Sequence, residues 1–137
     1  MDYYTDGSCE PNPGLGGWAV VTLEGPVALG CDENTTNIRM EGLALLAAIE
    51  LWEKGDTIHT DSQFWLNVLT KWAPVWEAKG WVKKGGAIAN LELVQKLYAA
   101  FREKNPDIIW TRAHVGTAGN ELADEWANRA REGETLG

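Results

Sequence analysis

Basic side chains, cysteine and long apolar runs are all scarce in this 137-residue chain, and each shortage narrows what the molecule does. Lys and Arg number 12 against 20 Asp and Glu, a formal net charge of −8. Taken alone, that balance argues against a phosphate-rich partner, because phosphate binding relies on Lys and Arg displacing counterions. The two cysteines, Cys9 and Cys31, form neither a CxxC pair nor a secreted disulfide scaffold, so reduced thiols are expected. No stretch approaches the roughly 18 consecutive apolar residues of a bilayer span, and Met1 runs straight into Asp2 without a signal segment. No membrane partner and a cytoplasmic location are expected. With 45% hydrophobic side chains, the chain can bury one core of ordinary size, so residues 1–137 are expected to form a single domain.

What is present is unevenly placed. Residues 1–61 hold two basic side chains, Arg39 and Lys54, against eleven acidic ones. Residues 62–104 hold seven (Lys71, Lys79, Lys83, Lys84, Lys96, Arg102, Lys104) against three, and residues 105–137 three against six. An acidic site beside a basic platform fits that alternation. The patterning is mixed α/β. Residues 1–8, 17–23 and about 26–31 read as a meander of strands joined by Gly/Pro turns. From Asn37 to Lys54, Met40, Leu43, Ala44, Ala47, Ala48 and Leu51 recur at helical spacing, with Gly55 as a C-cap. A strand at 57–60 follows, then a helix capped by Ser62 and running to about Trp72, where Pro74 is expected to stop it. A helix over about 89–104, a strand at 107–112 and a helix over about 117–132 complete the order βββαβααβα.

Two segments share one pattern, an apolar strand ending in Thr-Asp-polar: YYTDGS around Asp6 and IHTDSQ around Asp61. In open α/β sheets the functional crevice lies at strand ends, so these carboxylates converge if their strands are neighbours. Glu41 lies in the first turns of the long helix and Asp124 in the last helix. Any one of these acids alone reads as a cap or a solvated charge. Together they suit Mg²⁺, which prefers oxygen ligands in octahedral array and keeps water and substrate phosphate oxygens in its shell. Two such ions about 3.5–4 Å apart stabilise both the attacking and the leaving oxygens of an in-line displacement at phosphorus.

The segments TDGSCEPNPGLGGWA, TTNIRMEGLALLAAIELW, IHTDSQFWLNVL and AHVGTAGNELADEWANRA occur in this order over nearly the whole chain. In them the sequence resembles ribonuclease H of type 1. The resemblance implies a ribonuclease H-like α/β fold: a five-stranded mixed sheet of order 3-2-1-4-5, strand 2 antiparallel, with helices on both faces. It implies endonucleolytic hydrolysis of the RNA strand of RNA/DNA hybrids, leaving 5′-phosphate and 3′-hydroxyl ends. It also implies two Mg²⁺ ions, with Mn²⁺ able to substitute. Asp6 then matches the acid that bridges both ions, Asp124 completes the nucleophile-side site, and Glu41 and Asp61 form the leaving-group side. His114 matches a mobile histidine that assists proton transfer or product release without binding metal. It lies ten residues ahead of Asp124, before a Gly-containing loop that suits a proton shuttle. His59, inside a strand, is read as structural.

Telling RNA from DNA requires contact with the 2′-hydroxyl in the minor groove, for which short amides are suited. Asn12 and Asn37 match positions of this kind, and Gln63 is a further candidate. Thr36 and Asn90 resemble members of a pocket for a DNA-strand phosphate. Phe64, Trp72 and Trp76 resemble an aromatic channel for DNA-strand sugars, and Trp81, Lys83 and Lys84 look like part of a basic protrusion. Trp52, Trp110 and Trp126 read as core.

Three features depart from the pattern. Ile38 stands where many members carry a second amide, and the protrusion has fewer positive charges than strongly basic versions. Gly42 replaces a larger apolar residue after Glu41, at a cost to the helix of about 1 kcal/mol against Ala. No hybrid-binding module is expected before Met1, and a free-standing monomer is expected. A non-catalytic hybrid-binding module, or another two-metal nuclease of the same fold, is the alternative reading. Hybrid binding should be weak, with low processivity, and should fall steeply with added salt. A titration across salt concentrations checks this, and a shallow dependence would count against it.

Overall fold

The computed structural model describes residues 1–112 and 118–136. Five strands, β1 (Asp2–Cys9), β2 (Gly14–Thr22), β3 (Gly25–Thr35), β4 (Thr57–Thr60) and β5 (Asp107–Trp110), form one sheet in the order β3-β2-β1-β4-β5. The first three make the antiparallel meander, while β4 joins β1, and β5 joins β4, in parallel. The expected sheet order and mixed sense are therefore present. Both parallel neighbours are reached through helical crossovers, as parallel pairing requires.

Helix α1 (Asn37–Leu51) begins where the Thr36 hydroxyl accepts a hydrogen bond from Arg39 N. It ends at Trp52, where Lys104 Nζ donates to the Glu50 and Trp52 carbonyls. Ser62 caps α2 (Gln63–Asn67) in the same way, accepting from Trp65 N. Pro74 does not stop the chain here. A π-helical turn, Val68–Trp72, leads directly into α3 (Ala73–Ala78), with Pro74 in the first turn of α3. The wider turn accommodates a residue that has no N–H to give to an α-helical ladder. Helices α4 (Leu91–Lys104) and α5 (Ala118–Arg131) complete the order.

Alternation along the strands sends side chains to two unequal cores. On one face Tyr3, Val20 and Ile58 meet Leu45, Ala48, Ile49, Trp65, Leu69 and Leu97 from the helices α1 to α4. On the other, Tyr4, Ala19 and Val21 meet Ala123 and Ala127 of α5. Small residues let α5 lie close. A Cβ placed on Gly17 would sit 2.2 Å from Arg131 N and 2.6 Å from the Ala127 carbonyl. Those are backbone atoms, which cannot rotate aside. Gly17→Ala is therefore expected to destabilise the protein by about 1–3 kcal/mol. A denaturant midpoint unchanged from the parent would show that α5 does not ride on β2 as described.

Candidate active site

The register of β1 and β4 does what the sequence pattern required. Tyr4 pairs with His59, so continuing two residues along each parallel strand puts Asp6 level with Asp61. Beyond this point β1 pairs only with β2 among the described residues, so the parallel pairing stops beside the two acids. Glu41 reaches the same place from α1. Gly7 is what allows it, since a Cβ there would lie 2.4 Å from Glu41 N and 2.6 Å from the Met40 carbonyl carbon. One carboxylate oxygen each of Asp6, Glu41 and Asp61 lies within 4.8 Å of the others.

The electrostatics of this cluster have named causes. Burial, then the charge of Asp61, pushes the Asp6 carboxyl up to about 9, with Asp124 and Glu41 adding to the rise and the Gly7 N–H opposing it. That N–H donates to Asp6 Oδ1 at 2.9 Å. Burial, then Asp61, raises Glu41 to about 7, and a hydrogen bond from the Ser62 side chain works the other way. Asp124, on α5, lies outside the group of three but close enough for its charge to act on Asp6. Ser8 and Asn128 join β1 to α5 one helical turn further on, with Ser8 Oγ donating to Asn128 Oδ1 at 2.6 Å. Hard oxygen donors, crowded and partly buried, are a donor set that fits a divalent cation such as Mg²⁺ or Mn²⁺.

The remaining candidates fall into three places. Asn12 and Asn37 come together at the start of α1, where Asn37 N donates to Asn12 Oδ1 at 3.2 Å, and Thr36 is occupied as the cap. Phe64, Trp72, Trp76, Lys83 and Asn90 line one groove of about 450 Å³ with Ile38, Val68 and Ile88. Phe64 and Trp72 meet edge to face at 5.8 Å, and Trp72 lies 6.2 Å from Trp76. Gln63 and Lys84 are exposed beside these elements. Trp81 is set apart from the groove, packing edge-on against Tyr98 and lining a different hollow with Glu77 and Arg102. His114 lies outside the described residues. His59 has the structural role expected, stacked 4.5 Å from Tyr4 with Nε2 3.0 Å from Asp2 Oδ1.

Two residues at this site carried no functional signal in the sequence. Ser62 was legible as a helix cap, and the same hydroxyl also meets Glu41. Trp65 belongs to no motif that marks it in the sequence. It is fully buried, and its Nε1 donates to the Ile38 carbonyl at 2.7 Å.

A carboxyl raised by folding keeps a proton that the unfolded chain has already released. Stability of the metal-free protein should therefore fall as pH rises from the ordinary carboxylate range through about 7 for Glu41 and about 9 for Asp6. Glu41 alone would oppose folding by about 3 kcal/mol once fully ionised. Asp6→Asn in EDTA should raise the thermal midpoint at pH 8 by several degrees, on the order of 4–8 °C per kcal/mol at this size or slightly less. A midpoint independent of pH from 5 to 9, or a less stable Asp6→Asn protein, would show that the repulsion is absent.

Comparison with known proteins bears on this arrangement. A family profile described as RNase H matches residues 1–132. A ribonuclease H of Acidiphilium cryptum is 39% identical over 96% of this chain and 86% of its own length. One of Methylorubrum extorquens is 40% identical over 93% of this chain, which spans 58% of that relative. Among solved structures, LC9-RNase H1, a type 1 RNase H with the type 2 active-site motif, superposes with a TM-score of 0.80 at 30% identity. That match covers 98% of this chain and 72% of the other.

Proposed function

The chain belongs to the RNase H family and cleaves the RNA strand of RNA/DNA hybrids from within, and we propose that it does so with two divalent cations held by Asp6, Glu41, Asp61 and Asp124. Mg²⁺ is the proposed metal, with Mn²⁺ able to substitute. The observation that carries this reading is the convergence of Asp6, Glu41 and Asp61 within 4.8 Å where the parallel pairing of β1 with β4 ends. Bound there, divalent cations would supply positive charge to the attacking and leaving oxygens and lower the pKa of a bound water.

The chain's own residues do the rest. Asp6 feels the charge of all three other acids, and by the family resemblance it would serve both cation positions, one completed by Asp124 and the other by Glu41 with Asp61. Ser62 orients Glu41. His114 assists proton transfer to the leaving 3′-oxygen, or product release, leaving a 5′-phosphate. Asn12, Asn37 and Gln63 read the RNA strand through its 2′-hydroxyls. Asn90 and Thr36 receive a DNA-strand phosphate, and the groove of Phe64, Trp72 and Trp76 takes DNA-strand sugars, with Lys83 on its lining, while Lys84 and Trp81 meet substrate outside that groove. One domain, acting as a monomer in the cytoplasm, completes the proposal. Among the described residues no helix is long and apolar enough to cross a membrane.

Labelled hybrid, single-stranded RNA, duplex RNA, duplex DNA and a circular hybrid, each with Mg²⁺, Mn²⁺ or EDTA, test it. Cleavage of linear and circular hybrid only, abolished by EDTA and reduced at least about 10³-fold in Asp6→Asn, is the expected result. RNA cutting in EDTA, or full activity of Asp6→Asn, would sink the metal mechanism. Binding without cleavage would favour a hybrid-binding module. A circular hybrid left intact would favour an exonuclease.

A further inference from the structure

The two elements that carry Glu41 and Asp61 are locked together by a fit between an absent side chain and a large one. Gly42 directly follows Glu41, and Trp65 comes four residues after Asp61. A Cβ on Gly42 would lie 2.6 Å from Trp65 Cζ2 and 2.7 Å from Trp65 Cε2, so the indole occupies the volume that any larger residue at position 42 would fill. The indole is wholly buried, and its Nε1 donates at 2.7 Å to the carbonyl of Ile38, in the first turn of α1 and three residues before Glu41. Its backbone N donates at 3.2 Å to Ser62 Oγ, the hydroxyl that also meets Glu41. The helix penalty of a glycine at position 42 is thereby exchanged for a wedge. Leu93 closes its far side, with Cδ2 2.9 Å from the same Cβ position.

We propose that Trp65 is a positioning residue, an indole wedge seated on Gly42 that sets the separation of the Glu41 and Asp61 carboxylates and so the affinity of the leaving-group-side cation position. Trp65 touches neither substrate nor reacting atoms in this account. It acts through the two strand-end and helix-start segments it holds apart. The proposal rests on the metal reading above, and its test separates the two. Protein interiors are close-packed, so a Cβ at position 42 has to push the indole, α1 or both. The atoms it would meet include Cζ2, which belongs to the six-membered indole ring that phenylalanine lacks at that position. Gly42→Ala should therefore do harm with Trp at position 65 and little with Phe there.

The experiment is a double-mutant cycle of Gly42→Ala and Trp65→Phe, read by calorimetric titration of the metal-free protein with Mn²⁺ alone and by steady-state kinetics on hybrid. Circular dichroism confirms folding. In the parent background Gly42→Ala should weaken Mn²⁺ binding about tenfold, the usual order for residues that orient ligands. It should also lower kcat while leaving the hybrid KM within about twofold. In the Trp65→Phe background the same substitution should change Mn²⁺ affinity by less than about twofold, because contacting residues are not additive. Equal losses in both backgrounds, or unchanged Mn²⁺ affinity in a folded Gly42→Ala protein, overturn the wedge. Should Gly42→Ala fail to fold, Trp65→Phe alone decides. Weaker Mn²⁺ binding by a folded protein supports the wedge, and unchanged binding overturns it. Wild-type protein that binds no Mn²⁺, or binds it equally after Asp61→Asn, overturns the metal reading and the wedge together. Metal binding that is lost in Asp61→Asn but indifferent to the wedge overturns the wedge alone.

Discussion

Like charges held within 4.8 Å at a half-buried strand end repel, and most of what is unusual in this fold serves to hold them there. The ordinary resolution of such a conflict is for side chains to turn outward into water. Here the backbone denies that choice. Asp6 is fixed by the strand register, with Gly7 N–H held on its oxygen, and Glu41 by a helix that touches β1 at Gly7. Folding therefore works against the site, and the two cores have to offset it. Leu45, Ile49, Ile58, Trp65, Leu69 and Leu97 are each fully buried on one face, at about 1.5–3 kcal/mol for each aliphatic side chain. A cation that binds this cluster relieves the repulsion and adds to stability through the folded state alone.

The layout divides positioning from chemistry. Pairing of Tyr4 with His59 sets the two aspartates level, and the stack of their rings keeps that pair in register on the α5 side. Thr60 Oγ1 accepts from Ser62 N, and Ser62 accepts from Trp65 N, so the chain leaving β4 is tied at successive residues around Asp61. Trp110 Nε1 donates to the Asp61 carbonyl from β5 on the other flank. These ties involve backbone or buried hydroxyls, which lose little entropy on ordering compared with long side chains. The carboxylates carried on them are held in place by the sheet and not by chance rotamers.

Much of this was legible in the sequence, for reasons that can be named. The Thr-Asp pattern marks the end of β4 but not of β1, which runs on beside β2 to Cys9, and a helix starting at Asn37 with Glu41 in its second turn follows from spacing and a threonine cap. What periodicity could not supply was adjacency. That β4 comes to lie beside β1 came from the resemblance and is confirmed by the pairing register. The π-helical turn at Val68–Trp72 was hidden because Pro74 reads as a stop, and only tertiary packing of Val68, Leu69 and Ala73 shows why the helix persists. Gly42 was seen as a defect because helix propensity scores one chain segment at a time. Its partner, Trp65, is 23 residues away, and neither residue alone carries the signal.

A net charge of −8 and a polyanionic substrate conflict only when charge is averaged over the surface. At physiological ionic strength the field of an exposed carboxylate decays within about 8 Å, so the acids on β3, Asp32 and Glu33, act on their own surroundings. The aromatic groove is different ground. Its walls are Phe64, Trp72 and Trp76, which offer π faces and no negative charge, with Lys83 at its edge. Stacking and apolar contact there are indifferent to net charge and tolerant of base sequence. The clustered acids, repulsive to phosphate when bare, would attract it instead with a divalent cation bound among them. On this view the metal does two jobs, chemistry and attachment, and the scarcity of lysine is tolerable because the strongest cation at the interface is not supplied by the chain.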